Sequence, residues 1–230
     1  MVYVDRAMPS IASIVVFTIE MAAIATLINI PIAIGFAVLV ERAGRRARVG
    51  LDAVASLPLV LPPTAVGFLL LELLSRYRPL GRQLDSWGIE VLFTPRAVVI
   101  ATGVMSFPLM YRAFRIALGG VDRRYAAVAR TLGSTRWGAF LRVTLPIAWP
   151  GLVSGVVLAW CRALGEFGAT ILIAGNIPGR TQTLALAIYQ AVQTGRENEA
   201  VPFILLSIAV ALVAIAASEM LQRRSGGSRA

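Results

Sequence analysis

Five apolar stretches, separated by polar segments, set the pattern of the chain. A helix that crosses a bilayer needs about 20 consecutive, mostly apolar residues, and the stretches have about that length or more. They predict membrane spans at residues 11–40, 53–74, 97–118, 147–174 and 202–220. The first run is about twice as long as the apolar region of a signal peptide, so we expect it to remain as a span.

Polar and proline residues also lie within the spans, and those of the second and fourth spans predict the most about structure. Pro58, Pro62 and Pro63 lie in the second span and predict a kinked or broken helix. Arg162 and Glu166 lie in the fourth span, four residues apart and therefore on one helix face. Because a lone charge at mid-bilayer costs about 2.5–3.5 kcal/mol on insertion scales, we expect these two side chains to pair with each other or with a neighbouring span.

The composition agrees with a membrane protein. Hydrophobic residues make up 57% of the 230 residues and charged residues only 15%. The spans leave little chain for a separate soluble domain. We therefore predict an all-α, polytopic membrane protein with five transmembrane helices in one domain, residues 9–222, followed by a basic tail at 223–230.

The kinds of charged residue exclude several chemistries. All 22 basic residues are arginines, and the sequence contains neither lysine nor histidine. A P-loop ATPase, a lysine Schiff base, a histidine general base and a histidine metal site are therefore impossible. The single cysteine, Cys161, forms no cysteine cluster. We predict no catalytic residues, no metal and no cofactor in this chain.

The arginines flank the spans, which favours a topological role over nucleic-acid binding. Alternate sides of the five spans carry 14 and 7 arginines, with Arg162 inside a span. The richer side holds residues 42–48, 112–142 and 223–229. The positive-inside rule places that side in the cytoplasm, so the N-terminus is expected outside and the C-terminus inside.

The longest polar segment on the predicted cytoplasmic side is residues 119–146. Asp122 is a suitable N-cap, and Gly133 suits the position just past a helix end. Between them, Tyr125, Val128 or Ala129, and Leu132 recur at helical spacing and form an apolar face. Ser134 is expected to cap a second short helix that stops before Leu145-Pro146. Such a short helix at a membrane surface is suited to docking into another protein.

This segment resembles the "EAA" loop of the inner-membrane permeases of bacterial ABC importers. Five residues match that pattern with the spacing intact: Ala129, Gly133, Val143, Leu145 and Pro146. Two positions depart from it, because Ala127 replaces the first glutamate and Val128 the next alanine, which removes a charged contact with the partner. The resemblance implies that the loop couples the permease to an ATPase through Tyr125, Ala127, Ala129, Leu132, Gly133, Leu145 and Pro146.

Four further segments look like those of the molybdate permease subunit: residues 57–64, 105–110, 163–170 and 176–181. This resemblance implies the type I importer fold in the bacterial inner membrane and a homodimer of permeases. It also implies two cytoplasmic ATP-binding subunits, which use ATP and magnesium, and an extracytoplasmic molybdate-binding protein. Sulfate and tungstate permeases share much of the pattern and remain alternatives.

Candidates for the ion route are Thr64, Ser106, Arg162, Glu166 and Thr170. Each has a structural alternative: the charged pair could hold the fourth span, and hydroxyls in spans often join helices. A self-contained secondary anion transporter or channel, and a membrane-embedded enzyme, are the hypotheses from other classes. The absence of histidine counts against both, the docking loop counts against the transporter, and the spans show no paired acidic motif for an enzyme.

Overall fold

The computed structural model describes residues 10–226, and every regular element in that range is a helix. The helices are α1 (Ile11–Arg42), α2 (Arg45–Val60), α3 (Pro63–Leu74), α4 (Pro79–Ser86), α5 (Pro95–Gly119), α6 (Arg123–Thr131), α7 (Arg136–Ala139), α8 (Leu145–Leu164), α9 (Gly168–Ile173), α10 (Leu184–Gln193) and α11 (Glu197–Gly226). A π-helical turn, Phe140–Thr144, joins α7 to α8. The predicted all-α fold is confirmed.

Three helices are long and apolar enough to cross a membrane: Ile11–Arg42, Pro95–Gly119 and the continuous helix Arg136–Leu164. Helices α2 and α3 pass the same test together, as a pair bent by 111°. The fifth predicted span lies within α11. The number of spans, five, stays a prediction.

The bend between α2 and α3 is at Leu61-Pro62, directly before Pro63, the first residue of α3. Proline has no N–H to donate, and consecutive prolines remove two helical hydrogen bonds while disfavouring helix in the preceding residue. The prediction of a broken second span is confirmed.

The fourth apolar stretch differs from its prediction as one span at 147–174. Its helix begins earlier, at Arg136, and ends at Leu164. Residues 165–167 interrupt it, and α9 then runs from Gly168 to Ile173. Apolar composition continues across this break, and composition alone does not reveal where a helix stops.

Helix α5 packs between α1 and α8 and forms the centre of the molecule. Small residues allow the close approach of α5 and α8. A Cβ atom added to Gly155 would lie 2.8 Å from the Cβ of Ala113, and one added to Gly151 would lie 2.5 Å from the Cβ of Ala117. Such small contact residues are the usual means of packing helices in lipid, where no hydrophobic effect drives association.

Polar side chains also join the helices. Asn29, on α1, donates through Nδ2 to the carbonyl of Gly103 at 2.9 Å and to the hydroxyl of Ser106 at 3.3 Å, both on α5. The Thr18 hydroxyl accepts a hydrogen bond from the N–H of Leu184, at the start of α10, at 2.9 Å. These buried contacts fix α1 against its neighbours.

Candidate functional site

The short helix α6 lies between two of the long helices and forms the first half of the predicted coupling loop. The Asp122 side chain accepts a hydrogen bond from the N–H of Arg124 at 2.9 Å, which confirms it as the N-cap. Gly133, two residues past the helix, has a φ of +91°. That left-handed conformation suits glycine and ends the helix, as the sequence predicted.

One face of α6 carries three apolar side chains with high exposure. Tyr125 is 57% exposed, Val128 58% and Leu132, which follows the last helical residue, 82%. Ala127 is also exposed, and Ala129 is half-buried. No residue of α6 is buried, so its apolar face is largely uncovered within the described chain, residues 10–226. An exposed apolar patch at helical spacing is typical of a docking surface.

The second half of the loop differs from the sequence prediction. Thr135, and not Ser134, caps the next helix, since its hydroxyl accepts from the N–H of Gly138 at 3.0 Å. That helix does not stop before Leu145-Pro146. It continues through the π-helical turn into α8, so that Leu145 and Pro146 lie inside one helix, with Leu145 packed against the central core.

The π-helical turn is the physical reason for this continuity. In an α-helix, Pro146 would lack an N–H for the carbonyl of residue 142 and its ring would press against that carbonyl. Widening the preceding turn over Phe140–Thr144 changes this spacing and lets the helix pass the proline. A rule that ends helices before proline could not foresee it.

Glu41, at the end of α1, forms one ion pair with the loop and one with α2, and sequence reasoning missed both. Glu41 pairs with Arg123, at the start of α6, and with Arg48, on α2, at 3.3 Å. Glu41 is the one acidic residue in an arginine-rich turn, and this isolated opposite charge was a signal that could have indicated its role.

Arg162 and Glu166 form the predicted intramembrane ion pair, with Nη1 and Oε2 2.8 Å apart. Glu166 is only 3% exposed. Its other oxygen accepts a hydrogen bond from the N–H of Ala169, in the first turn of α9, at 2.9 Å. The carboxylate therefore joins the end of α8 to the start of α9, which favours the structural interpretation of the pair.

The three hydroxyl candidates occupy different environments. Ser106 is fully buried, accepts from Asn29 and donates to the carbonyl of Gly103 at 3.3 Å. Thr170 is fully buried too, and its hydroxyl has no hydrogen-bond partner within residues 10–226. Thr64 is exposed at the start of α3. Ser106 therefore serves the α1–α5 contact.

The two helix breaks lie against each other. A Cβ atom added to Gly168 would lie 2.6 Å from the Cβ of Pro63 and 3.3 Å from the amide nitrogen of Thr64. One turn further, a Cβ on Gly67 would lie 2.8 Å from the Cα of Ala169. The start of α3 thus packs on the start of α9, next to Arg162 and Glu166. Non-helical backbone at membrane depth occurs where it is buried in protein or lines a water-filled cavity.

The same fold occurs in solved ABC transporters. It matches a bacterial ABC transporter involved in the import of the acidic polysaccharide alginate, with a TM-score of 0.72 and 18% identity over 92% of this chain and 78% of that one. It also matches the MetNI methionine ABC transporter in inward-facing conformations, with a TM-score of 0.71 and 18% identity over 93% and 95%.

The chain belongs to the family of binding-protein-dependent transport system inner membrane components, whose sequence profile matches residues 29–225. It is therefore a multi-pass membrane protein and a transporter component. It is 46% identical to the molybdenum transport system permease protein ModB of Escherichia coli strain K12. The match covers 92% of this chain and 93% of that protein. The ModB of Haemophilus influenzae is 38% identical, with 90% of this chain and 91% of that protein covered.

Proposed function

We propose that this chain is the membrane subunit of an ATP-driven importer that carries molybdate across the bacterial inner membrane. The exposed apolar face of α6, in the segment that resembles the EAA loop, is the observation that supports the coupled mechanism. The substrate rests on the relatives, which are named as molybdenum permeases and match nearly the whole chain. Tungstate or sulfate is the alternative within the family.

In this proposal two copies of the chain form the translocation route, and each docks α6 into a cytoplasmic ATPase subunit. ATP and magnesium bind to the ATPase, and the permease needs no cofactor of its own. An extracytoplasmic binding protein supplies the high affinity, so the route itself holds the ion weakly enough to release it. The closing of the ATPase pair then displaces the spans as rigid bodies.

The arginine bias sets the proposed orientation. The side with 14 arginines contains the coupling loop and faces the cytoplasm, where the ATPase is. The N-terminus then lies outside and the C-terminus inside. Of the proposed route residues, Thr64 is exposed beside the two helix breaks, and an oxyanion route requires such hydroxyl and backbone N–H groups.

Reconstituted transport tests the proposal. Proteoliposomes that hold this chain, its ATPase and the binding protein should take up labelled molybdate only with ATP. Unlabelled molybdate and tungstate should compete, and sulfate should not. Competition by sulfate alone would contradict molybdate as the substrate. Uptake without the ATPase would contradict the coupled mechanism and favour a secondary transporter.

A pair of glycine variants tests the loop in the same assay. Gly133→Asp places a side chain at a φ of +91°, which disfavours non-glycine residues and distorts the end of α6. Gly44→Asp is the matched control: it adds the same charge at an exposed turn with a φ of −63° and open space around it. We expect Gly133→Asp to abolish uptake and Gly44→Asp to retain it; equal uptake in the two variants would contradict the coupling role.

A further inference from the structure

A basic groove opens between α2 and the C-terminal half of α5, and its lining contains no residue of α3, α6 or α9. Its volume is about 580 Å³. Its polar lining is Arg48, Asp52, Ser56, Tyr111, Arg112 and Arg115. The α2 members recur every four residues and therefore lie on one helix face.

Two of the three arginines in the groove are paired with carboxylates. Asp52 pairs with Arg115 and also accepts a hydrogen bond from the Tyr111 hydroxyl. Arg48 pairs with Glu41, outside the groove, at 3.3 Å. These contacts fix Arg48 and Arg115, and the third arginine has a different kind of partner.

Arg112 is held by a hydroxyl and not by a carboxylate. Its Nε and Nη2 atoms donate to the Ser56 oxygen at 3.2 and 3.0 Å. Among the carboxylates whose side chains the structure describes, none has an oxygen within 4.0 Å of its guanidinium nitrogens. A guanidinium has five N–H donors, so three remain available. The Ser56 contact therefore orients a positive charge toward the groove without cancelling it.

We propose that the basic groove binds a tetrahedral oxyanion on Arg112. Guanidinium N–H groups in their planar fork match the oxygens of such an anion. The groove is far larger than a single water, whose share of liquid volume is about 30 Å³, so the ion would keep part of its hydration. Two sources share this chemistry: the free ion, and the phosphate of an anionic lipid headgroup.

The assignment to one side of the membrane rests on the proposed function. In that orientation the groove lies at the cytoplasmic end of the bundle, near the turn between α1 and α2. A free oxyanion there is imported cargo that binds again after its release. An anionic headgroup there belongs to the cytoplasmic leaflet.

Equilibrium binding on the assembled transporter tests the groove. The chain and its ATPase are placed in zwitterionic nanodiscs without binding protein or nucleotide, and the probe is labelled molybdate. Because a charge-assisted hydrogen bond contributes about 1.5–3 kcal/mol, Arg112→Gln should weaken binding about tenfold or more. Arg46→Gln is the matched control, since Arg46 is exposed, also on α2 and outside the groove lining. Arg112→Lys retains the charge but lacks the planar fork, so it should bind more weakly than the wild type and no more weakly than Arg112→Gln.

A second arm separates the two sources. In nanodiscs that contain phosphatidylglycerol, native mass spectrometry measures the anionic lipid retained by each variant. Loss of molybdate binding in Arg112→Gln alone identifies the free ion, whereas selective loss of the lipid identifies a headgroup. If Arg112→Gln equals Arg46→Gln in both arms, or if Arg112→Lys binds more weakly than Arg112→Gln, the inference is wrong.

ATP-dependent uptake distinguishes the failure of this inference from that of the proposed function. If the wild-type transporter shows uptake and Arg112→Gln binds as the wild type does, oxyanion binding in the groove is contradicted and the importer proposal stands. If binding depends on Arg112 but the transporter shows no ATP-dependent uptake, the importer proposal is contradicted and oxyanion binding in the groove stands.

Discussion

Glu166 shows how a single carboxylate can serve two helices. It neutralises Arg162 on α8 and accepts a backbone N–H of α9, in an environment that leaves it 3% exposed. Removing one partner of a buried ion pair leaves the other charge uncompensated, which costs more than the pair contributes when intact.

We expect Glu166→Gln to lower the free energy of unfolding by about 3–5 kcal/mol, the usual cost of breaking a buried pair. Glu199→Gln is the matched control. It breaks the exposed pair Arg196–Glu199, whose atoms are 3.6 Å apart, and such surface pairs contribute about 0–1 kcal/mol. Unfolding by SDS in mixed micelles measures both variants, and equal midpoints would show that Glu166 has no structural role.

At the residue scale, spacing predicted contacts within one helix and missed contacts between helices. The pairing of Arg162 with Glu166 and the cap at Asp122 follow from distances of two to four residues along the chain. Asn29 and Ser106 are 77 residues apart, and their hydrogen bond depends on the packing of α1 on α5. For this reason the sequence analysis proposed Ser106 for the ion route and did not show that Ser106 lies in the contact between α1 and α5.

The contact between α5 and α8 depends on glycines that admit the neighbouring side chains. We expect Gly155→Val to destabilise the protein by about 1–3 kcal/mol, because its side chain would overlap Ala113 and Phe114. Gly35→Val adds the same side chain to an exposed site on α1 with nothing within 4 Å. Thermal unfolding in detergent compares the two, and a control as unstable as Gly155→Val would refute the packing argument.

The exposed face of α6 makes a different prediction, in which binding changes and stability does not. Leu132→Ala should weaken copurification with the ATPase about tenfold, as truncation of an apolar interface anchor does. Since Leu132 is 82% exposed, its thermal unfolding should stay close to that of the wild type. Val49→Ala, which alters an exposed apolar side chain of α2, should leave the ATPase bound; weakened binding in both variants would count against a docking role of α6.

Among the elements, the bend between α2 and α3 was predictable because proline acts locally. The continuation of α7 into α8 was not, since a π-helical turn compensates for Pro146 within the same helix. The end of α8 at Leu164 also escaped prediction. There the carboxylate of Glu166 and the packing of Gly168 on Pro63 stabilise a break that apolar composition hides.

For the molecule as a whole, orientation can be tested with the single cysteine removed. In a Cys161→Ala background, we expect a membrane-impermeant maleimide to label Ser86→Cys on spheroplasts and to leave Thr131→Cys unlabelled. Both positions are exposed, and the arginine bias places them on opposite sides. Inverted vesicles should reverse the result, and labelling of both positions from one side would contradict the five-span topology.

The continuous helix Arg136–Leu164 has a mechanical consequence. Its 29 residues, at about 1.5 Å each, form a rod of roughly 43 Å. One end follows the exposed face of α6, and the other stops at Gly165, where an added Cβ atom would have no neighbour within 4 Å. A displacement of the loop would therefore be transmitted along this helix to its far end. The chain would then bend at Gly165, beside the second helix break. The permease would act as a lever whose pivot lies at the far end from the force.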